Sequence, residues 1–177
     1  MIGVLVSGEG SNLQALIDAG LPIAAVASNN RGVRALERAD AAGIPARVFE
    51  EREYADRMAR DRELADWLQL RGVELVVLAG YMHLLTQAFL DRFPDRIVNV
   101  HPSLLPEFPG ARAIDDALRA GVDTTGVTVH YVDEGLDTGA VIRQEQVAVE
   151  PRDTLVDRIH AVEHRLLPEV VQQLCAR

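Results

Sequence analysis

The sequence predicts an α/β fold of three layers: a mostly parallel sheet covered by helices on both faces and extended by antiparallel strands towards the C-terminus. Three observations carry that expectation. Short continuous apolar runs such as Ile2–Val6 and residues 75–79 alternate with stretches of helical length, the pattern of buried parallel strands joined by crossover helices. The first run feeds a glycine turn, Ser7-Gly8-Glu9-Gly10-Ser11-Asn12, that opens a helical segment. Beyond residue 120 the texture changes to period-two alternation over 126–132 and 140–149, which suits an antiparallel pair.

The chain opens on the strand Ile2–Val6, passes through the glycine turn and enters a helix carrying Leu13, Leu16 and Ile17. A second strand, Ile23–Ser28, leads to a helix over 33–42. A third short strand over 46–49 precedes a long charged helix over 52–69, whose apolar positions include Met58, Leu64, Trp67 and Leu68. The fourth strand, 75–79, ends at Gly80-Tyr81-Met82, and a helix over 84–93 and a strand over 96–100 follow. The final helix starts at Thr154, with Asp153 as its cap, and runs to Leu174. Residues 1–177 read as one domain with no internal repeat, linker or low-complexity segment.

At 177 residues and 48% hydrophobic, the chain can bury a sizeable core. No apolar run approaches the roughly 20 residues that cross a bilayer, and no basic segment precedes an apolar one at the start, so a cytoplasmic location is expected. The single cysteine, Cys175, excludes an internal disulfide framework and a cysteine-based metal cluster. A net charge of −9 argues against nucleic-acid and membrane surfaces, so an anionic substrate needs a local binding device. All 18 basic residues are arginine, which removes lysine-dependent Walker phosphate binding and Schiff-base chemistry.

The densest chemical signal is Ile97-Val98-Asn99-Val100-His101-Pro102-Ser103-Leu104-Leu105-Pro106. Strand side chains alternate, so Asn99 and His101 point to one side while Val98 and Val100 point to the other. Pro102 cannot donate to a ladder and ends the strand, and Pro106 and Pro109 stiffen the loop beyond it. An amide and an imidazole therefore meet at a strand's carboxyl end, where open α/β sheets bind ligands. Asp137, in Asp133-Glu134-Gly135-Leu136-Asp137-Thr138-Gly139, is the candidate third member. A carboxylate near an imidazole favours the charged ring, and an amide beside it suits a tetrahedral acyl-transfer intermediate. Ser103 lacks the strand-to-helix elbow of a nucleophilic serine, so direct transfer to a bound acceptor is expected. Without a carboxylate partner, Asn99 and His101 read simply as satisfied polar residues at a strand end.

The turn at 7–12 admits two readings. Its glycines and the helix N-terminus can hold a phosphate, or it is an ordinary connection capped by Ser11. Leu13 breaks the dinucleotide signature, which disfavours adenine dinucleotides. His160 and His164 stand four apart on the last helix, but two ligands without a third make a weak site, and no metal is expected. His130 reads as a strand residue near the site's edge. The segment Tyr81-Met82-His83-Leu84-Leu85 either lines a pocket or belongs to a helix core.

Four stretches together resemble the phosphoribosylglycinamide formyltransferases nearly end to end. They are Val6-Ser7-Gly8-Glu9-Gly10-Ser11-Asn12-Leu13-Gln14-Ala15, Leu78-Ala79-Gly80-Tyr81-Met82, the Asn99 to Pro106 block with Phe108-Pro109-Gly110, and Gly126-Val127-Thr128-Val129-His130 through Gly139. The Asn-x-His-Pro block is shared by folate-dependent formyltransferases and hydrolases, whereas the Ser-Gly-x-Gly-Ser-Asn start points to the glycinamide ribonucleotide enzymes. The resemblance implies a Rossmann-like formyltransferase fold. It also implies formyl transfer from the cosubstrate 10-formyltetrahydrofolate to the amine of glycinamide ribonucleotide, in purine synthesis and without a metal.

By the same resemblance, Gly10, Ser11 and Asn12 hold the substrate phosphate and Glu163 contacts its glycinamide part. Asn99 and His101 stabilise the oxyanion, while Asp137 keeps His101 charged and relays protons. Met82, His83 and Leu84 border the folate pterin, and Arg62 lies near the folate tail. Partners are then small molecules only, with neither nucleic acid nor membrane, and the chain acts as a monomer or homodimer. Three positions depart from the pattern: His83 stands where arginine or lysine is usual, Arg112 where histidine is frequent, and Ala140 where proline follows the glycine. Two rival readings are a formyltetrahydrofolate hydrolase, with water as acceptor, and a non-catalytic phosphate-ligand binding module. The absence of a regulatory domain ahead of the first strand speaks against the hydrolase.

Overall fold

The runs read as strands form strands in a computed structural model that describes residues 1–176. Five of them, β1 (Ile2–Val6), β2 (Ile23–Ser28), β3 (Ala46–Val48), β4 (Leu75–Leu78) and β5 (Ile97–His101), lie parallel. Antiparallel pairing then joins β6 (Thr124–Tyr131) to β5 and β7 (Val141–Ala148) to β6. The seven-stranded sheet has the order β3-β2-β1-β4-β5-β6-β7. Every residue of β1 and β4 is buried, as expected for central strands covered on both faces.

Three helices, α1 (Ser11–Asp18), α2 (Arg34–Ala41) and α6 (Leu155–Cys175), cover one face. Their Leu13, Leu16, Ile159 and Leu166 pack with Val4, Val77, Val98 and Val100. The other face carries α3 (Arg57–Gln69) and α4 (Gln87–Leu90), whose Leu64, Leu68 and Phe89 meet Leu5, Val76 and Ile97. Each fully buried aliphatic side chain of this kind contributes about 1.5–3 kcal/mol over its exposed state. The two cores are the physical content of the three-layer expectation.

Beyond shifts of one or two residues at element ends, four elements differ from the sequence reading. The helix expected over 52–69 divides, because Asp56 accepts from the Ala59 N–H at 2.7 Å and starts α3 afresh after a one-turn 3₁₀ helix at Glu51–Glu53. The helix expected over 84–93 shrinks to α4, since residues 82–85 run as an irregular wall. Residues 113–120 form an unanticipated helix, α5 (Ala113–Ala120), ended by Gly121 in the left-handed region at φ 66°. The last helix begins at Leu155 after a 3₁₀ turn that includes Asp153, so Asp153 is not its cap; Thr154 holds that position without a side-chain capping bond.

The order in which strands join the sheet reverses at β1, whose parallel neighbours β2 and β4 lie on opposite sides. Connections leaving the carboxyl ends of β1 and β4 therefore diverge and open a crevice there. Among the described residues, no helix is long and apolar enough to cross a membrane.

Candidate active site

The crevice is a cleft of about 650 Å³, lined by the turn after β1, residues 78–85 after β4, the end of β5, residues 130–137 and one face of α6. Register brings its polar groups together. In the β5–β6 pair, Asn99 stands opposite His130 and His101 opposite Thr128. The buried His130 donates Nδ1–H to the Tyr131 carbonyl at 2.8 Å, because a carbonyl can only accept. In the neutral ring, Nε2 then accepts from Asn99 Nδ2 at 3.2 Å, which decides which end of the Asn99 amide faces inward. The same Nδ2 lies 3.4 Å from Asp137 Oδ1.

His101 is 4% exposed and donates Nε2–H to the Phe108 carbonyl at 2.8 Å. Its Nδ1 is 3.5 Å from Asp137 Oδ2, so a proton on that nitrogen has an acceptor in place. Asp137 Oδ2 also accepts from the Gly110 N–H at 2.8 Å. Burial alone would raise the Asp137 pKa. The His130 Nε2, which in the protonated ring can donate to Asp137 Oδ1 3.5 Å away, the Gly110 N–H and the charge that each imidazole carries when protonated outweigh that penalty and hold the carboxyl below the usual aspartate value. Ser103 is fully buried with its hydroxyl donating to the Glu107 carbonyl at 2.5 Å, so it serves the loop and presents no nucleophile.

At the other end of the cleft, Gly10 precedes α1 with φ 73°, and a Cβ there would lie 2.6 Å from the Ala35 Cβ. Only glycine permits that backbone and that approach of α2. No side chain caps the helix, so Ser11 is its first residue and not its cap. The first helical bond runs from the Gln14 N–H to the Gly10 carbonyl at 2.9 Å, which leaves the preceding amides without an acceptor inside the helix. Arg38 braces the turn, donating to the Glu9 carbonyl at 2.9 Å and to its carboxylate at 2.8 Å. Glu163, 6% exposed on α6, accepts from Asn12 Nδ2 at 3.2 Å. Desolvation pushes the Glu163 pKa up to about 7, and the Asn12 bond offsets only part of that rise.

Gly10, Ser11, Asn12, Met82, His83 and Leu84 thus share one cleft with Asn99, His101, Asp137 and Glu163. Met82 and Leu84 present exposed apolar side chains to it, 65% and 50% accessible. Arg62 stands apart: it is exposed on α3 and does not line the cleft. Arg112 is likewise exposed, at the start of α5. His160 lines the cleft and stacks on His164, which does not, with ring centroids 6.1 Å apart. Among the described residues, no group of three or more His, Cys, Asp or Glu is arranged to hold a metal ion. His130 is the participant that the sequence reading left at the edge. Its period-two position was legible, but its partner strand and register were not.

An amide, an imidazole and a carboxylate beside the switch point of an open α/β sheet suit group transfer to a bound acceptor. The chain belongs to the formyl transferase family, which it matches over residues 1–171. The phosphoribosylglycinamide formyltransferase of Bacillus subtilis (strain 168) is 41% identical over 182 residues, 97% of this chain and 92% of that protein. The trifunctional purine biosynthetic protein adenosine-3 of Drosophila pseudoobscura pseudoobscura is 46% identical over 186 residues, which is 99% of this chain; the chain spans 14% of that protein's length. The crystal structure of phosphoribosylglycinamide formyltransferase from Streptococcus pneumoniae TIGR4 superposes with a TM-score of 0.93 at 43% identity, covering 98% of this chain and 97% of that one.

Proposed function

We infer that this chain transfers a formyl group from 10-formyltetrahydrofolate to the amine of glycinamide ribonucleotide, a step of purine synthesis. The observation that carries the reading is the convergence of Asn99, His101 and Asp137 with the open amides at the start of α1 in a single cleft. Relatives named for this reaction, similar over nearly their whole length, support it.

In this reading the turn at Gly10, Ser11 and Asn12 holds the substrate phosphate, and Glu163 meets the glycinamide part. The folate lies against Met82, His83 and Leu84. The amine attacks the formyl carbon, a new C–N bond forms, and the carbonyl electron pair moves onto oxygen. Asn99 trades its longer bond to Asp137 for that oxyanion, and the His101 ring, protonated on both nitrogens, supplies positive charge. Asp137 takes the proton lost by the attacking nitrogen and returns it to the departing folate nitrogen as the old C–N bond breaks, while His101 keeps its charge throughout. Removing one donor from such a site costs about 10²–10³ in turnover. The chain works as one cytoplasmic domain, as a monomer or homodimer, on small molecules alone and without a metal.

Folate absorbance follows formyl transfer directly. Acceptor-dependent turnover that collapses in His101→Ala is the expected result. Turnover without acceptor would make the chain a hydrolase. Intact ligand binding with no turnover would make it a binding module.

A further inference from the structure

Under the cleft wall formed by residues 82–85 lies a buried ion pair. Arg60 and Asp61, consecutive on α3, are both fully buried. Asp61 Oδ1 accepts from Arg60 Nε at 2.9 Å and from Nη2 at 2.7 Å, and Asp61 Oδ2 accepts from the Thr86 backbone N–H at 2.7 Å. The free arm of the guanidinium, Nη1, lies 2.6 Å from His83 Nδ1 and 3.8 Å from the half-exposed Glu51. One turn earlier on α3, Arg57 donates to the Leu84 carbonyl. Two positions of the wall, His83 and Leu84, and Thr86 directly after it are thus tied to α3.

A buried ion pair is an inefficient source of stability, since desolvating both charges consumes most of their attraction. What this pair does deliver is an arrangement, because its remaining partners are His83, within the ligand-facing segment, and Thr86, just beyond it. Arginine donates and never accepts, so His83 Nδ1 is bare. With Nδ1 accepting from Arg60, the ring's one proton sits on Nε2, and the Asn29 amide, whose Nδ2 position lies 3.2 Å away, accepts it only when turned to present its oxygen to the ring. Protonating the ring would set two donors against each other across 2.6 Å. Burial and then the Arg60 charge lower the His83 pKa, with Arg57 adding to them and Glu51 and Asp61 opposing. Tyr81, whose ring lies 5.9 Å from that of His83, has its pKa pushed up to about 12 by burial and stays neutral.

We propose that Arg60 is a positioning residue that holds His83 as a neutral hydrogen-bond acceptor and thereby fixes the wall against which the pteridine ring of the cosubstrate packs. The ligand named here rests on the formyl-folate reading above. A lysine or arginine at position 83 would be incompatible with this arrangement, because it would press a second cation against the buried one.

The test compares the wild-type chain with Arg60→Met, His83→Leu and His83→Gln. The KM for 10-formyltetrahydrofolate is expected to rise about tenfold in Arg60→Met and in His83→Leu, each of which leaves a charged hydrogen-bonding site unpartnered or the wall untethered. The kcat and the KM for the phosphate-bearing acceptor are expected to move less than about twofold in Arg60→Met, a split that general loss of fold would not produce. His83→Gln retains an acceptor for Arg60, so its KM is expected to lie between those of the wild type and His83→Leu. Independently, nitrogen NMR of the His83 ring at neutral pH should report a bare Nδ1 and a protonated Nε2. An Nδ1–H tautomer or an imidazolium would overturn the proposal, as would an unchanged folate KM in folded Arg60→Met and His83→Leu. If Arg60→Met does not fold, the two His83 variants, which leave the ion pair whole, decide the matter. A wild-type chain that binds no formyl folate removes the reaction reading and the ligand named here, and the ring tautomer then still decides the Arg60–His83 link.

Discussion

Asn12 donates its side-chain N–H to Glu163 across 3.2 Å, joining the first helix to the last over 151 residues of sequence. That bond is too little to keep Glu163 ionised: its pKa is raised by burial to about 7 from an ordinary 4.5. Between those values the folded chain holds a proton that the unfolded chain has released. Stability from this group is therefore complete below about pH 4.5, falls as pH rises and is lost above about pH 7. In Glu163→Gln that dependence disappears, so across this window the variant gains up to about 3 kcal/mol relative to wild type. Denaturant unfolding at a series of pH values measures the difference; a difference that does not vary with pH would show that Glu163 titrates normally.

His101→Ala and Asn99→Ala should each lower kcat by about 10²–10³ while leaving the KM values within a few-fold. Steady-state kinetics with both substrates separates these effects. A rise in KM with kcat intact would assign the two residues to binding alone.

His130 acts on Asn99 through one contact, Nε2 to Nδ2 at 3.2 Å. His130→Phe keeps the bulk and removes the acceptor. Its kcat should fall by about tenfold, consistent with losing one orienting hydrogen bond in a dry site. Because both changes remove the oriented Asn99 amide while His130 also lies 3.5 Å from Asp137, combining it with Asn99→Ala should cost less than the sum of the two single changes. Additive losses would mean that His130 has a separate task.

Gly10→Ala places a Cβ 2.6 Å from the Ala35 Cβ on a backbone at φ 73°. The expected cost is about 1–3 kcal/mol of stability, since both the conformation and the contact resist a side chain. Weaker binding of the phosphate-bearing substrate should accompany it, as the amides of the turn lose their aim. Calorimetric titration of that substrate, with thermal unfolding alongside, checks both parts. Wild-type affinity and stability together would remove the turn from the site.

Much of this molecule was legible along the chain. Continuous apolar runs of four to six residues marked the parallel strands, and period-two alternation marked the antiparallel pair, because burial on two faces or one leaves different patterns. Asn99 and His101 could be assigned to one side of β5 from strand alternation alone. The helix α5 was not legible because it follows a proline-rich loop and no apolar strand run leads into it, and Leu155 opens α6 without the side-chain cap that Asp153 suggested.

By itself the sequence determined the order and type of most elements, the end of β5 at Pro102 and the glycine turn before α1. These depend on the conformational limits of neighbouring residues, which local residue identity controls. Tertiary structure alone decided that His130 faces Asn99, that Arg62 lies away from the cleft while Arg60 is sealed beneath its wall, and that Glu163 is stripped of water. Strand register and desolvation arise from groups far apart in the chain, and no local pattern encodes which of them will become neighbours.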